Sequence, residues 1–192
     1  MLEKRIKILR LAEKLLAVKG LYNLSMKQET SKSRIATGTI YLCFKSKNDL
    51  VQELHQQNLM SLAAFLFDNY DESQTLKKRF IYLWHRMWEF GLLYPESILC
   101  KPEFAKLPET IQQQEESLAR NLFAPLGKIY EEGVQQKVFR NLPPAVLAAI
   151  SFEPCTNLLR QQIIGQLTLN SNEVEEAALS CLAAILLRQK DI

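Results

Sequence analysis

Ile35-Ala36-Thr37-Gly38-Thr39-Ile40-Tyr41-Leu42-Cys43-Phe44-Lys45-Ser46-Lys47-Asn48-Asp49-Leu50 is the stretch that decides the fold of this 192-residue chain. Its first half predicts a short helix over residues 36–43, with Ile40 and Phe44 spaced to hold it on a support. The helix opens on small side chains. Thr37 and Thr39 offer hydroxyls for bases or phosphates, while Ala36 and Gly38 allow close approach to base edges. Ser46-Lys47-Asn48-Asp49 then has the form of a capping box, in which the Ser46 hydroxyl takes a free amide and Asp49 approximates the Glu that reaches back. Lys45 and Lys47 flank that helix start, where free amides and the helix dipole already favour an anion. Tyr41 can give its phenol to a phosphate or bury its ring in a small core.

Upstream, Ile6, Leu9, Ala12, Leu15 and Leu16 recur at three- and four-residue spacing. They predict an amphipathic helix over 4–19, stopped by Gly20. Ser25 precedes a short polar segment to about Ser31, and a turn falls near Ser33-Arg34. Three short helices of this size make a helix-turn-helix unit. The charge agrees with that reading. The chain carries +3 overall, but residues 1–50 hold eleven Lys/Arg against four Asp/Glu, a balance of +7, and residues 51–192 hold thirteen against seventeen, a balance of −4. A basic front on an acidic body fits either a solvated amphipathic helix or a module that meets a polyanion.

Downstream the helical pattern continues. The Ser46 cap opens a helix to about Tyr70, another runs from about Thr75 to Tyr94, and Pro95, Pro102 and Pro108 bound short pieces. Residues 109–136 predict a long helix that Pro125 kinks or divides, and Leu142-Pro143-Pro144 opens one to about Leu167 with a kink at Pro154. Asn172, with Glu175 three residues on, predicts the cap of a last helix to about Gln189. The expected fold is all-α, with about nine helices, no strand pattern and no internal repeat.

Composition and missing motifs exclude several classes. With 47% hydrophobic and 23% charged residues, the chain is neither disordered nor a disulfide scaffold. The N-terminus lacks the unbroken apolar core of a secretory signal, and no stretch approaches the roughly 18–20 apolar residues of a membrane span. Cys43, Cys100, Cys155 and Cys181 are widely spaced, as expected of reduced thiols in a cytoplasmic protein. Only His55 and His85 offer imidazoles, and neither follows a Glu by three residues. There is no Gly-rich phosphate loop, no H-E-x-x-H and no nucleophile elbow. No catalytic residue, cofactor or metal site is expected, and the enzyme class is set aside.

The run from Ile35 to Leu50 resembles the signature of TetR-family transcriptional regulators. Leu16-Ala17-Val18-Lys19-Gly20-Leu21-Tyr22 is similar to that family's first-helix ending, and Ser25-Met26 to the start of its second helix. The resemblance implies that Thr37, Gly38 and Thr39 meet operator DNA, with Ala36 at the helix start. It also implies that Tyr41 and Lys47 contact phosphates, as does Ser25 unless its hydroxyl only caps the second helix. Three positions depart from the pattern: Glu29-Thr30 in place of an apolar residue and Ala, Arg34 in place of the turn Gly, and Cys43 in place of a second Tyr. Arg34 and Lys45 are candidate phosphate contacts of their own.

On that resemblance, residues 1–50 form the helix-turn-helix domain and 51–192 a helical domain that binds a small effector and dimerises. Phe65, Trp84, Trp88, Phe104, Phe123 and Phe152 are the candidate lining of an apolar effector pocket. Trp84 and Trp88, at i and i+4, are the best aromatic pair among them. His85 is a candidate polar partner, and Glu153 is either a polar group within the pocket or a surface carboxylate at a kink. The Val146-Leu147-Ile150 and Ala178-Cys181-Leu182-Ile185 stripes suit a two-fold four-helix interface. The implied partners are double-stranded operator DNA, a small-molecule effector and a second copy of the chain, with no membrane. The implied activity is a ligand-responsive repressor on a palindromic operator; a helical adaptor with a degenerate helix-turn-helix is the alternative.

Overall fold

The computed structural model describes residues 2–24, 40 and 42–187. Nine helices run through these described residues: α1 (Leu2–Asn23), α2 (Lys47–Phe67), α3 (Leu76–Leu93), α4 (Pro95–Phe104), α5 (Glu109–Leu122), α6 (Ala124–Gln135), α7 (Pro144–Ser151), α8 (Glu153–Ile163) and α9 (Ser171–Ile185). The fold is all-α, as expected. No strand occurs among the described residues, and one isolated bridge pairs Phe139 with Leu186.

Local chemistry explains the boundaries. Gly20 breaks α1 at φ +74°, a conformation glycine adopts without the cost borne by a side chain. Thr75 caps α3 by accepting from the Lys78 N–H. Pro125 falls in the first turn of α6 and divides the expected 109–136 helix, while Pro154 divides α7 from α8 in the same way. Pro102 lies inside α4 rather than bounding it.

The last helix corrects the expected cap. Asn170, not Asn172, is the N-cap, and its box closes through Glu173. The sequence offers the same Asn-x-x-Glu spacing twice, two residues apart, and the earlier register adds half a turn of helix. It also leaves Glu175 to pair with His85, Nε2 to Oε2 at 2.7 Å. This helix ends at Ile185, earlier than the expected Gln189. Arg140 N donates to Ile185 O at 2.9 Å and Leu187 N to Val138 O at 3.0 Å, and this pairing draws the chain into an extended path.

The chain divides into two compact units. The first comprises residues 1–61 and 96–120, the second residues 62–95 and 121–192. The first unit's core gathers Ile8, Leu9, Ala12 and Leu16 of α1 with Ile40, Phe44, Leu50, Val51 and Leu54, and with Cys100, Phe104 and Leu107. In the second unit α3 packs against α8, α9 and α6. Gly91 lets α8 approach so closely that a Cβ there would fall 2.6 Å from Leu159 Cδ1. No described helix is long and apolar enough to cross a membrane.

Candidate DNA-reading module and effector core

Within the first unit, α1 and α2 are joined by Arg5. Its Nε donates to Glu53 Oε1 at 2.7 Å, its Nη1 to Cys43 O at 2.8 Å, and its Nη2 to Glu53 Oε2. The guanidinium also lies 4.5 Å from the centre of the buried Phe44 ring. One of the eleven N-terminal cations is therefore internal glue rather than a free charge for a polyanion. Ile40 and Phe44 are buried, as their spacing requires.

The Ser46 cap forms. Asp49 N donates to Ser46 Oγ at 3.1 Å, and the Asp49 carboxylate accepts from Lys45 N at 2.9 Å, one residue before the cap. Lys45 therefore holds the cap through its backbone, and its side chain needs no internal partner for that role. Lys47, the first residue of α2, donates from Nζ to Leu21 O at 3.1 Å. Both lysines thus stand at a helix N-terminus, where an anion is favoured. Ser25, Glu29, Arg34, Ala36, Thr37, Gly38, Thr39 and Tyr41 lie outside the described residues.

The six candidate effector residues separate into several groups. Trp84 and Trp88 stack in the second unit, centroids 6.0 Å apart and planes 6° from parallel. Trp84 is fully buried, and Phe152 packs edge-on against Phe80 at 5.3 Å. Phe65 lies 5.6 Å from Phe90, with the Arg86 guanidinium 3.7 Å above its ring. Phe123 neighbours Phe67 at 6.4 Å. Phe104 belongs to the first unit, where it stacks on His55 at 4.3 Å. A groove of about 390 Å³ is lined by Glu131, Val134, Gln135, Asn141, Leu142, Pro143 and Pro144, and none of the six borders it. Glu153 is exposed at the start of α8.

Most residues of the apolar stripes on α7 and α9 face inward. Leu147, Ala178, Cys181, Leu182 and Ile185 are buried within the second unit, while Val146 is 41% exposed and Ile150 half-buried. An apolar stripe is what a helix buries against its own neighbours first. Leu179 of α9 and Ile164, the C-cap of α8, are exposed apolar residues.

Three buried polar residues carry no signal in the sequence pattern. Glu115, 3% exposed, accepts from Gln56 Nε2 at 2.8 Å and Gln52 Nε2 at 3.3 Å, and faces His55 Nδ1 at 3.2 Å. Burial lowers the His55 pKa, more than the Glu115 charge raises it. In the second unit Arg79 donates to Tyr70 Oη at 2.8 Å and Glu132 Oε2 at 2.6 Å. Ser151 Oγ bonds Tyr130 Oη and donates to Leu147 O, both at 2.7 Å, and burial pushes the Tyr130 phenol well up. Burial likewise pushes the Cys100 thiol up, the reverse of an activated cysteine.

Known proteins place these features. Residues 8–54 match the family described as bacterial regulatory proteins, tetR family, and residues 75–186 match the tetracyclin repressor-like C-terminal domain. The chain belongs to the TetR family of bacterial transcriptional regulators, and its N-terminal segment is that family's helix-turn-helix part. It is 28% identical over 96 residues to an uncharacterised HTH-type transcriptional regulator of Haemophilus influenzae, covering 50% of this chain and about half (51%) of that relative's length. Among solved structures, a TetR-family protein from Vibrio parahaemolyticus is similar at TM-score 0.80 and 27% identity, over 96% of this chain and 100% of the other. The transcriptional regulator FadR of Bacillus subtilis, solved in complex with stearoyl-CoA, shares the fold at TM-score 0.76 and 16% identity, over 97% and 98% of the two chains.

Proposed function

We propose that the chain binds a palindromic operator as a homodimer and represses transcription until a small, largely apolar effector releases it. The observation that carries the DNA-binding part is Lys47, whose ammonium sits at the N-terminus of α2 directly after the residues matching the family's recognition helix. On this reading Thr37, Gly38 and Thr39 read bases, with Ala36 at the helix start. Ser25, Arg34, Tyr41, Lys45 and Lys47 hold phosphates, and the domain boundary falls near residue 50. The duplex is met in successive major grooves, about 34–36 Å apart.

Support for an effector comes from the aromatic interior around Trp84, Trp88 and Phe152, and from a neighbour of the same fold that binds an acyl-CoA. A ligand that prefers one spacing of the two modules weakens DNA binding by its differential affinity alone. Dimerisation then uses α7 and α9 through the more exposed positions of their stripes, Val146 and Ile150 of α7, with the exposed Leu179 of α9 beside them. The protein acts in the cytoplasm.

The test is duplex binding by fluorescence anisotropy, using a sequence that the wild-type protein selects from a random pool. Thr39→Ala and Lys47→Ala should both weaken the complex, with Lys47→Ala lowering the salt slope by about one unit. Failure to enrich any duplex refutes the reading. Native mass spectrometry of the purified protein checks for a co-purified small molecule.

A further inference from the structure

Ser97, Cys100 and Glu103 fall three residues apart on one face of α4, and each meets α1. Ser97 Oγ donates to Glu13 Oε1 at 2.7 Å, and Cys100 Sγ to Glu13 O at 3.4 Å. Glu103 Oε2 accepts the Leu21 N–H at 2.6 Å, immediately after the break at Gly20. Lys106 Nζ donates to Glu103 Oε1 at 2.6 Å and so restrains the carboxylate. The fit at Gly20 is close: a Cβ there would lie 3.0 Å from Glu103 Oε2.

Leu21 is therefore held at both ends, its N–H by Glu103 and its carbonyl by Lys47. We propose that Glu103 is a positioning residue for DNA binding: it fixes Leu21, whose carbonyl in turn holds the Lys47 ammonium where a phosphate is met. The inference rests on the reading of Lys47 as a phosphate contact. The chemistry fits, because an ammonium has three donors and one bond to Leu21 O leaves two for phosphate oxygens. A lysine already restrained loses less side-chain freedom on binding than one free in solvent. Glu103 touches no DNA itself; it acts through Leu21.

The test is a double-variant cycle in the full-length protein, read by anisotropy on the wild-type-selected duplex across a salt series. Glu103→Ala should weaken binding about tenfold, the scale of one charge-assisted hydrogen bond. It should also lower the salt slope by about one unit, as Lys47→Ala does. Glu103→Ala combined with Lys47→Ala should bind no more weakly than Lys47→Ala alone. Glu103→Gln, which keeps an acceptor oxygen for Leu21, should restore most of the affinity. If Glu103→Ala does not fold, Glu103→Asp replaces it, since it keeps the charge but shortens the reach.

An unchanged salt slope with a lowered melting temperature would make Glu103 a merely structural contact and overturn the proposal. Full additivity of the two losses overturns it as well. A wild-type protein that selects no duplex fails before any variant is made, and that result removes both the DNA-binding reading and this inference.

Discussion

Gly133→Ala sets two physical effects against each other. Gly133 lies in α6, where alanine is worth about 1 kcal/mol more than glycine by helix propensity. The added Cβ would fall 2.0 Å from Phe139 Cδ2 and 2.7 Å from Phe139 Cγ, so the ring has to move. Phe139 is 1% exposed, and its own N–H donates to Gly133 O at 2.9 Å, which ties ring and turn together. Overpacking of this kind costs about 1–3 kcal/mol, and full loss of a buried Phe costs about 3–5. With the propensity gain set against the overpacking cost, the expected net effect is a destabilisation of up to about 2 kcal/mol. The assay is urea unfolding at fixed protein concentration, reading the midpoint and slope together. Gly133→Ala combined with Phe139→Ala should lose less than the two single losses added, because alanine has neither the Cγ nor the Cδ that the new Cβ would meet. A raised midpoint for Gly133→Ala would refute the close approach of ring and helix.

Three further outcomes are expected. Gly127→Ala, in the same helix but with nothing within 4 Å of the new Cβ, should stabilise by about 0.5–1 kcal/mol in the same urea assay. Lys137 stands at φ +54° directly after the α6 C-cap, the place usually taken by glycine, so Lys137→Gly should raise the thermal midpoint by the equivalent of about 1 kcal/mol or less. Burial holds the His55 pKa below its ordinary value, so the unfolded chain binds that proton more tightly than the folded one. Stability should therefore fall as pH drops below about 6.5, and His55→Gln should flatten that slope in pH-dependent urea unfolding.

Helix existence was legible because apolar spacing and prolines act locally: Pro125 and Pro154 each divide a helix where their missing N–H and fixed φ demand it. The two Asn-x-x-Glu registers before α9 were not separable, since both satisfy the same local rule and only the whole helix chooses between them. The apolar stripes of α7 and α9 gave the buried face correctly, but burial in the protomer and burial between protomers have one sequence signature. Aromatic spacing found the Trp84–Trp88 stack yet grouped Phe104 with it, although Phe104 packs on His55 in the other unit. Glu115, Arg79 and Glu103 left no trace in the pattern, because their partners come from distant parts of the chain.

The first compact unit is discontinuous along the backbone, and this limits where the protein can be cut or recombined. A fragment ending at residue 61 would keep Leu16, Leu50 and Leu54 but lose Cys100, Phe104 and Leu107, which are buried against the same cluster. Each large buried side chain contributes about 1.5–3 kcal/mol, and a whole domain has a margin of only about 5–15. A chimera that transplants residues 1–50 onto another regulator's body should keep this core packed only if residues 96–120 go with them. The core beneath the N-terminal helices is thus built from two separate stretches of sequence rather than one.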